Sequence, residues 1–553
     1  MTPKSFFEKL VAGAENSVKA KAMAAAGAVG DDFGIAALSR FRSESYNKPV
    51  ARDSESVELD WLKRWAMYSP RALALRCADS NRTFSYRELY ERSNHLAQQL
   101  RTCFQLQKGE RVAVLAQNEP ETIFLFFALQ RIGAILVPIN FRLAPREIDH
   151  VLSDSGAKLL IWQNTFASTM AELEQKPDAL LAFEGKGGLT DWIFGSEPHE
   201  FMPMESDLDA PVMILYTSGT TGKPKGALIS NKMLFWNSVN TGLRLNITSS
   251  DTTLIFHPFF HTSGWNVLTT PFLHHGASIV LLKKFDPERV LAVAEEHGIT
   301  VLFGVPTMMD MMARAETFAK VALKKVRYAI VGGEPMPVPL IRTWAEKGIP
   351  VRQGYGLTEF GPNVFSLNEE DSIRKIGSIG FPNFYVDVKI LAASGEELEE
   401  PGQVGELCLR GPSCTPGYWR NAKATQETIS EGWLHTGDLV RKDEEGYFYV
   451  VGRKKEMFIS GAENIYPAEL ESFIRTHPQV REVAVVGVRD DRWGEVGKCF
   501  YSTENGAPID ESELRAFCQQ GLARYKVPKF FVHMNELPKG TSGKIHRLSL
   551  TAQ

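Results

Sequence analysis

From Leu59 to about Pro350 the chain alternates short apolar runs with stretches of helical period, and this alternation most constrains its fold. Runs of four or five mainly apolar residues read as buried strands: Arg111–Leu115, Ala134–Pro138, Lys158–Trp162, Val212–Leu215, Thr253–Phe256, Ser278–Leu282, Thr300–Gly304 and Arg327–Val331. Helical periods occupy Glu121–Ile132, Pro287–Glu296 and Pro337–Lys347. Apolar strands interspersed with helices require mainly parallel sheets covered by helices. Ligands in such sheets sit outside the carboxyl ends of the strands, so the loops after Tyr216, Gly304, Val331 and Gln353 are the candidate binding loops.

The texture changes after Gly377. Val386–Leu391, Gly405–Arg410 and Tyr447–Val451 are short alternating strands between Gly, Pro and Glu turns, which suits a small antiparallel barrel. A further unit follows, with a helix at Ala468–Thr476 and a strand at Glu482–Val488, and its length suits a compact α+β domain. The expected architecture is a large α/β domain with a small β-barrel, followed by a smaller α+β domain.

Composition narrows the function. The 553 residues are 44% apolar and 23% charged with a net charge of −4, and no dense basic stripe marks a nucleic-acid binder. Cys77, Cys103, Cys408, Cys414, Cys499 and Cys518 are scattered without a Cys-x2-Cys pair, which indicates neither a zinc site nor a disulfide framework and fits the reducing cytoplasm. No run approaches the ~18 apolar residues of a membrane span. Residues 1–58 read as an N-terminal extension of unknown role. Its first thirty residues are Ala-rich and carry Phe6, Phe7, Leu10 and Val11, compatible with an amphipathic helix lying on the protein or on a membrane. A peripheral membrane contact and a homodimer both remain compatible with the sequence.

Residues 216–226, Tyr-Thr-Ser-Gly-Thr-Thr-Gly-Lys-Pro-Lys-Gly, follow the apolar strand Val212–Leu215 and precede Ser230, a helix cap for a helix from Asn231. Read as a strand-to-helix turn, the loop offers the hydroxyls of Thr217, Ser218, Thr220 and Thr221, the flexible Gly219 and Gly222, and the ammonium groups of Lys223 and Lys225. Such a set is suited to a polyphosphate. The spacing is not that of a Walker loop, because only two residues separate Gly219 from Gly222, and Pro224 has no N–H to donate. Gln353-Gly354-Tyr355-Gly356-Leu357-Thr358-Glu359 supplies close-approach glycines, a flat ring for adenine, a hydroxyl donor and a hard oxygen ligand for Mg²⁺. His257 and His261 stand at i and i+4, but Pro258 argues against a metal-binding helix.

In order along the chain, these motifs and Gly332-Gly333-Glu334-Pro335, Thr436-Gly437-Asp438, Gly452-Arg453-Lys454-Lys455 and Pro538-Lys539-Gly540-Thr541-Ser542-Gly543-Lys544 resemble the adenylate-forming enzymes. The family includes acyl-CoA synthetases, peptide-synthetase adenylation domains and beetle luciferases, and the resemblance covers about residues 59–550. It implies two domains, residues 59–454 binding ATP and acid and residues 455–553 forming a mobile lid. It further implies that Thr358 contacts the α-phosphate, Glu359 holds Mg²⁺, and Gly333, Glu334, Pro335, Gln353, Gly354, Tyr355 and Gly356 surround the nucleotide. Asp438 would take the ribose hydroxyls with Arg453 beside them, Lys455 would be the hinge, and Ser460 and Gly461 would line a coenzyme A tunnel. Lys544, not Lys539, would be the catalytic lysine that bridges carboxylate and phosphate. Glu456 and Ala462 depart from the commoner Asp and Gly of this family.

The acyl-site candidates are His261, Trp265, Phe303, Gly304, Gly333 and the turn Gly361-Pro362-Asn363. They are mostly apolar or small, and Gly304 would open a tunnel. The resulting expectation is an AMP-forming acid–CoA ligase, using ATP, Mg²⁺ and coenzyme A, on a medium- or long-chain fatty acid. Its alternatives are an aryl-acid ligase, a carrier-protein-loading ligase, a luciferase-like oxidative enzyme and a non-catalytic nucleotide sensor.

Overall fold

The computed structural model describes residues 60–199, 201, 207–217, 224–460, 463–540 and 545–551. The N-terminal extension therefore lies outside the described residues.

Two large sheets form the body. In one, Val351–Tyr355, Tyr328–Val331, Val301–Gly304, Thr252–Ile255, Ser278–Leu281 and Leu73–Cys77 run parallel side by side, with short antiparallel strands at both edges. In the other, Ala179–Ala182, Leu159–Trp162, Arg111–Leu115, Ile135–Pro138 and Pro211–Thr217 are parallel, and Lys225–Ser230 closes the edge antiparallel to Pro211–Thr217. The apolar strands are thus parallel, as their lack of alternation requires.

The helix Pro120–Ile132 explains how the sheets combine. Its Ile-Phe-Leu-Phe-Phe-Ala-Leu run is buried on every side, and a helix apolar all round must be enclosed. It shares one core with Leu75, Ile279 and Phe303 of the first sheet and Val112, Val114 and Leu136 of the second. Alternate residues turn outward: Leu254, Val280 and Leu302 meet the helices Pro287–Glu296, Pro306–Arg314 and Val338–Glu346, while Ala113, Leu115 and Ile135 meet Pro145–Ser155. The long helix Tyr86–Phe104 starts at a capping box in which Ser85 and Glu88 satisfy each other's backbone N–H groups.

Asp387–Leu391, Gly405–Arg410, Ile429–Ser430, Trp433–Lys442 and Phe448–Arg453 form a five-stranded antiparallel sheet. This is the expected small β unit, and it stays open among the described residues because Asp387–Leu391 and Phe448–Arg453 do not pair with each other. The last sheet pairs Val480–Asp490 with Gly494–Thr503 and adds Phe458–Ser460, Glu463–Ile465 and Phe530–His533, with the helices Pro467–Ile474 and Glu511–Gly521 sharing its core. Among the described residues no helix is long and apolar enough to cross a membrane.

His274 closes the helix Thr269–His274 half-buried and neutral. It stacks on Trp61 at 4.4 Å, its Nδ1 is 2.8 Å from Ser238 Oγ, and burial followed by the neighbouring His275 pulls its imidazole down to about 3. The fold keeps it neutral, whereas an unfolded histidine titrates near 6.5. Below that pH the unfolded chain binds a proton that the fold refuses. The contribution is therefore complete above pH ~6.5 and is lost towards pH ~3, at up to about 1.4 kcal/mol per unit. His274→Phe is expected to flatten the decline of unfolding free energy between about pH 6.5 and 4 in urea titrations; an unchanged slope would contradict this.

Candidate active site

The candidate residues gather where parallel strands end. Val301–Gly304 ends at Gly304, Tyr328–Val331 leads into Gly332–Pro335, and Val351–Tyr355 leads into Gly356–Glu359. Asn118, after the strand Arg111–Leu115, ties the second sheet to this edge: its Nδ2 donates to the His257 carbonyl at 2.8 Å and its Oδ1 accepts from Phe259 N at 3.1 Å.

The phosphate-loop candidate is not a strand-to-helix turn. Thr217 pairs with Lys225 and Tyr216 with Gly226, so the loop joins two antiparallel strands. The helix Asn231–Leu245 begins only after the second strand, capped by Ser230 Oγ, which accepts from Met233 N. Among the described residues no helix starts directly after the loop, so the strand-to-helix geometry expected for an anion site is replaced by a hairpin. Ser218, Gly219, Thr220, Thr221, Gly222 and Lys223 lie outside the described residues. Thr217 and Lys225 frame them, and Lys225 Nζ is 5.8 Å from the centre of the Tyr418 ring.

Tyr355 joins the large sheet to the antiparallel one. Its hydroxyl donates to Asp438 Oδ2 at 2.5 Å, while Arg453 Nε is 2.6 Å from Asp438 Oδ1. Asp438 and Arg453 face each other across a strand pair, and Asp438 is buried whereas Arg453 is exposed. Burial, then the Asp438 charge, holds the Tyr355 phenol far above its ordinary range, so it stays a donor. Three residues expected around a nucleotide and its ribose are therefore in direct contact.

Gln353 is turned inward: its Oε1 accepts from Met336 N at 3.2 Å and its Nε2 donates to the Ser378 carbonyl at 3.1 Å. It braces the exposed segment Gly333–Glu334–Pro335 instead of facing a ligand itself. Gly333 has a positive φ of 88°, with Val305 Cγ1 in ordinary contact at 3.7 Å from where a Cβ would stand, fitting backbone offered to a ligand. Gly356 has another reason to be glycine than ligand approach: a Cβ there would stand 2.0 Å from the carbonyl oxygen of Pro362. Gly354 is crowded less, with the Phe365 carbonyl oxygen at 3.3 Å. Thr358 and Glu359 open the 3₁₀ turn that follows, both half-buried, and Glu359 Oε1 accepts from Tyr418 Oη at 2.8 Å.

The acyl-pocket candidates divide. Phe303 stacks on His257 at 4.3 Å, and His257 in turn stacks on Phe256. Burial and the adjacent His261 lower the His257 imidazole to about 3, so it serves as a neutral flat ring. His261 precedes the short helix Thr262–Trp265, its ring 4.6 Å from Phe260. Trp265 does not border an open pocket: it is 1% exposed, stacks on Phe259, and its indole N–H donates to the Phe259 carbonyl at 2.6 Å. Gly304 does not open a tunnel either, because Met309 Sδ lies 2.7 Å from where its Cβ would be and Met312 packs behind. Asn363 is a tie, its Nδ2 donating to the Val267 carbonyl at 3.1 Å.

Ser460 is buried and pairs with Gly494, whereas Gly461 lies outside the described residues. Lys455 is exposed in a turn where Glu456 and Met457 N–H groups both donate to the Arg453 carbonyl. Lys544 also lies outside the described residues. Lys539 and Ile545 on either side of its loop bridge antiparallel, and Lys539 Nζ is 2.7 Å from Glu482.

Sequence reasoning missed Arg547. Burial opposes its charge, but Glu471, held through both guanidinium nitrogens, then Glu456 and Glu334, raise it above its ordinary range. The C-terminal tail is thereby tied to the helix Pro467–Ile474 through Glu471 and to the Lys455 turn through Glu456. The signal available was the departure at Glu456, whose extra methylene lets Oε2 come within 3.3 Å of Arg547 Nε.

The family model for AMP-binding enzyme matches residues 62–419, and that for the AMP-binding enzyme C-terminal domain matches 469–544. The chain belongs to the AMP-binding enzymes, the adenylate-forming superfamily with a large α/β domain and a smaller C-terminal one. It is similar to a feruloyl-CoA synthase from an Amycolatopsis species, 40% identical over 485 residues that cover 88% of this chain and 96% of that protein. An indoleacetate–CoA ligase from Aromatoleum aromaticum is 35% identical over 497 residues, at 88% and 96% coverage. Among solved structures, an o-succinylbenzoate CoA synthetase from Bacillus subtilis in complex with its acyl-adenylate intermediate superposes with a TM-score of 0.79 at 32% identity, over 89% of this chain and 97% of that one.

Gly356→Ala is expected to cost about 1–3 kcal/mol or more of unfolding free energy, because the clash is with backbone and cannot be relieved by a rotamer. Denaturant titration measures it, and a loss near zero would show that the Pro362 turn can move aside.

Proposed function

We propose that this chain is an AMP-forming acid–CoA ligase whose substrate is an aryl acid, in preference to the fatty acid that Gly304 suggested. The observation that carries the preference is the Met309 thioether seated against Gly304, which occupies the space beside Gly304 on which the fatty-acid reading rested. Phe303 and the neutral His257, stacked at 4.3 Å next to Gly304 in the chain's fold, place flat rings in the wall here, which suits an aromatic acid better than a flexible chain. Feruloyl-CoA synthase, indoleacetate–CoA ligase and 2-succinylbenzoate–CoA ligase among its relatives are all named for acids that contain a ring.

In the first half-reaction the acid's carboxylate attacks the α-phosphorus of ATP and pyrophosphate leaves, giving acyl-AMP. Asp438 takes the ribose hydroxyls, with Tyr355 and Arg453 holding its carboxylate in place. Thr217, Lys225 and the loop between them surround the phosphates, and Thr358 donates to the α-phosphate. Lys544 offsets the repulsion between carboxylate and phosphate, where a compact, mobile cation stabilises the developing charge. Mg²⁺ fits Glu359, a half-buried hard-oxygen donor held by Tyr418 Oη, and when bound it neutralises phosphate charge. In the second half-reaction the coenzyme A thiolate attacks the acyl carbon and AMP leaves. The C-terminal unit turns about Lys455 between the two, withdrawing Lys544 and presenting Ser460 and Gly461 to the thiol.

Pyrophosphate exchange and thioester formation with matched panels of aryl and straight-chain acids test this. Aryl acids such as hydroxycinnamic or arylacetic acids are expected to exceed C8–C16 fatty acids at least about tenfold in kcat/KM, and turnover is expected to require coenzyme A. The opposite ranking would restore the fatty-acid reading. Adenylate that accumulates regardless of coenzyme A would indicate a carrier-loading enzyme, O₂ uptake or light an oxidative one, and ATP binding without exchange a sensor. Lys544→Ala is expected to abolish acyl-AMP formation and to spare thioester formation from supplied acyl-AMP; equal loss in both assays would count against the rotating lid.

A further inference from the structure

We propose that Tyr418 is a positioning residue for the magnesium carboxylate, tying Glu359 to the strand that leaves the phosphate loop; this rests on the assignment of Glu359 to magnesium made above. Tyr418 lies 59 residues from Glu359 in sequence, yet its Oη is 2.8 Å from Glu359 Oε1. The segment that carries it is fixed at both ends of this contact. On the metal side Thr415 N donates to the backbone carbonyl of Glu359 at 2.8 Å, so main chain and side chain of the carboxylate are gripped by the same loop. On the phosphate side the loop lies along Lys225–Ser230: Leu228 N donates to the Gly417 carbonyl at 3.0 Å, Trp419 N donates to the Gly226 carbonyl at 2.8 Å, and Thr415 Oγ1 donates to the Leu228 carbonyl at 2.7 Å.

Tyr418 stands between these anchorages, bridged to Ala227, with Lys225 Nζ near its ring and its N–H donating to Thr425 Oγ1 at 3.0 Å. Gly417 lets the chain pass: its φ is 135°, and a Cβ would stand 2.6 Å from Thr425 Cγ2. A donated hydrogen bond to one oxygen fixes the orientation of a carboxylate that would otherwise rotate, and orienting partners of this kind tune metal affinity. The loop thus sets the distance between the phosphate-gripping strand and the carboxylate.

Wild type, Tyr418→Phe, Glu359→Gln and the double variant are compared in two assays. One is Mn²⁺ binding in the presence of a non-hydrolysable ATP analogue, followed by loss of the free-ion EPR signal. The other is the Mg²⁺ dependence of acyl-AMP formation. Tyr418→Phe is expected to weaken Mn²⁺ binding and raise the half-saturating Mg²⁺ about tenfold, the scale of one hydrogen bond to a charged group. The KM for the acid is expected to stay unchanged, and adding Tyr418→Phe to Glu359→Gln is expected to have no further effect. Normal metal dependence in Tyr418→Phe, with weakened binding in Glu359→Gln, overturns the tyrosine's role and leaves the proposed reaction standing. Normal metal dependence in Glu359→Gln overturns the metal assignment and this inference with it. Losses that add in the double variant overturn the coupling, because the tyrosine would then act elsewhere.

Discussion

The rest of the structure depends on the enclosure of one helix. Pro120–Ile132 has no face it can show to water, so it must lie between two covered surfaces, and the two parallel sheets supply them. Asn118, just ahead of that helix, then pins the carboxyl edge of one sheet to the loop leaving the other. Parallel strands gather their binding loops at one edge. Here two sheets contribute loops that a single-sheet fold would leave apart, and this brings the edge of the phosphate loop, the Gly333 segment and the Glu359 turn into one molecule-spanning constellation.

A second theme is what glycine is for. Glycines near a nucleotide motif invite the reading that a ligand approaches them. Gly333 fits it, with a positive φ and no clash where a side chain would stand. Gly356 and Gly304 do not, because Pro362 and Met309 of the chain itself occupy the space a side chain would need. The residue type reports only that something comes close. Gln353 and Trp265 behave similarly: both sit inside a functional motif, and both spend their polar groups on backbone.

Much of the secondary structure was legible. Arg111–Leu115 and the buried parallel strands on either side of it emerge from apolar run length, and the Ser230 cap from residue type. Lys225–Ser230 was missed because it begins inside a loop rich in Gly and Pro and its burial follows no two-residue alternation. Gly494–Thr503 was missed because its first half, Gly-Glu-Val-Gly-Lys, is polar at the rim and only its partner strand completes the burial. Closure of the small β unit is what the sequence could not give: alternating strands show that a sheet forms, but closure depends on edge strands far apart in sequence, which do not pair among the described residues.

The sequence by itself determined the family, the two-part architecture and the residue types of the site, because apolar period, turn chemistry and ordered motifs are local properties of a chain. Tertiary structure alone decided the partners of those residues. Tyr355 meets Asp438 across 83 positions, Tyr418 meets Glu359 across 59, and Arg547 meets Glu471 across 76. Hydrogen-bond range is about 3 Å, so such contacts follow from how remote elements are folded together, and a local reading of the chain contains no distance between them.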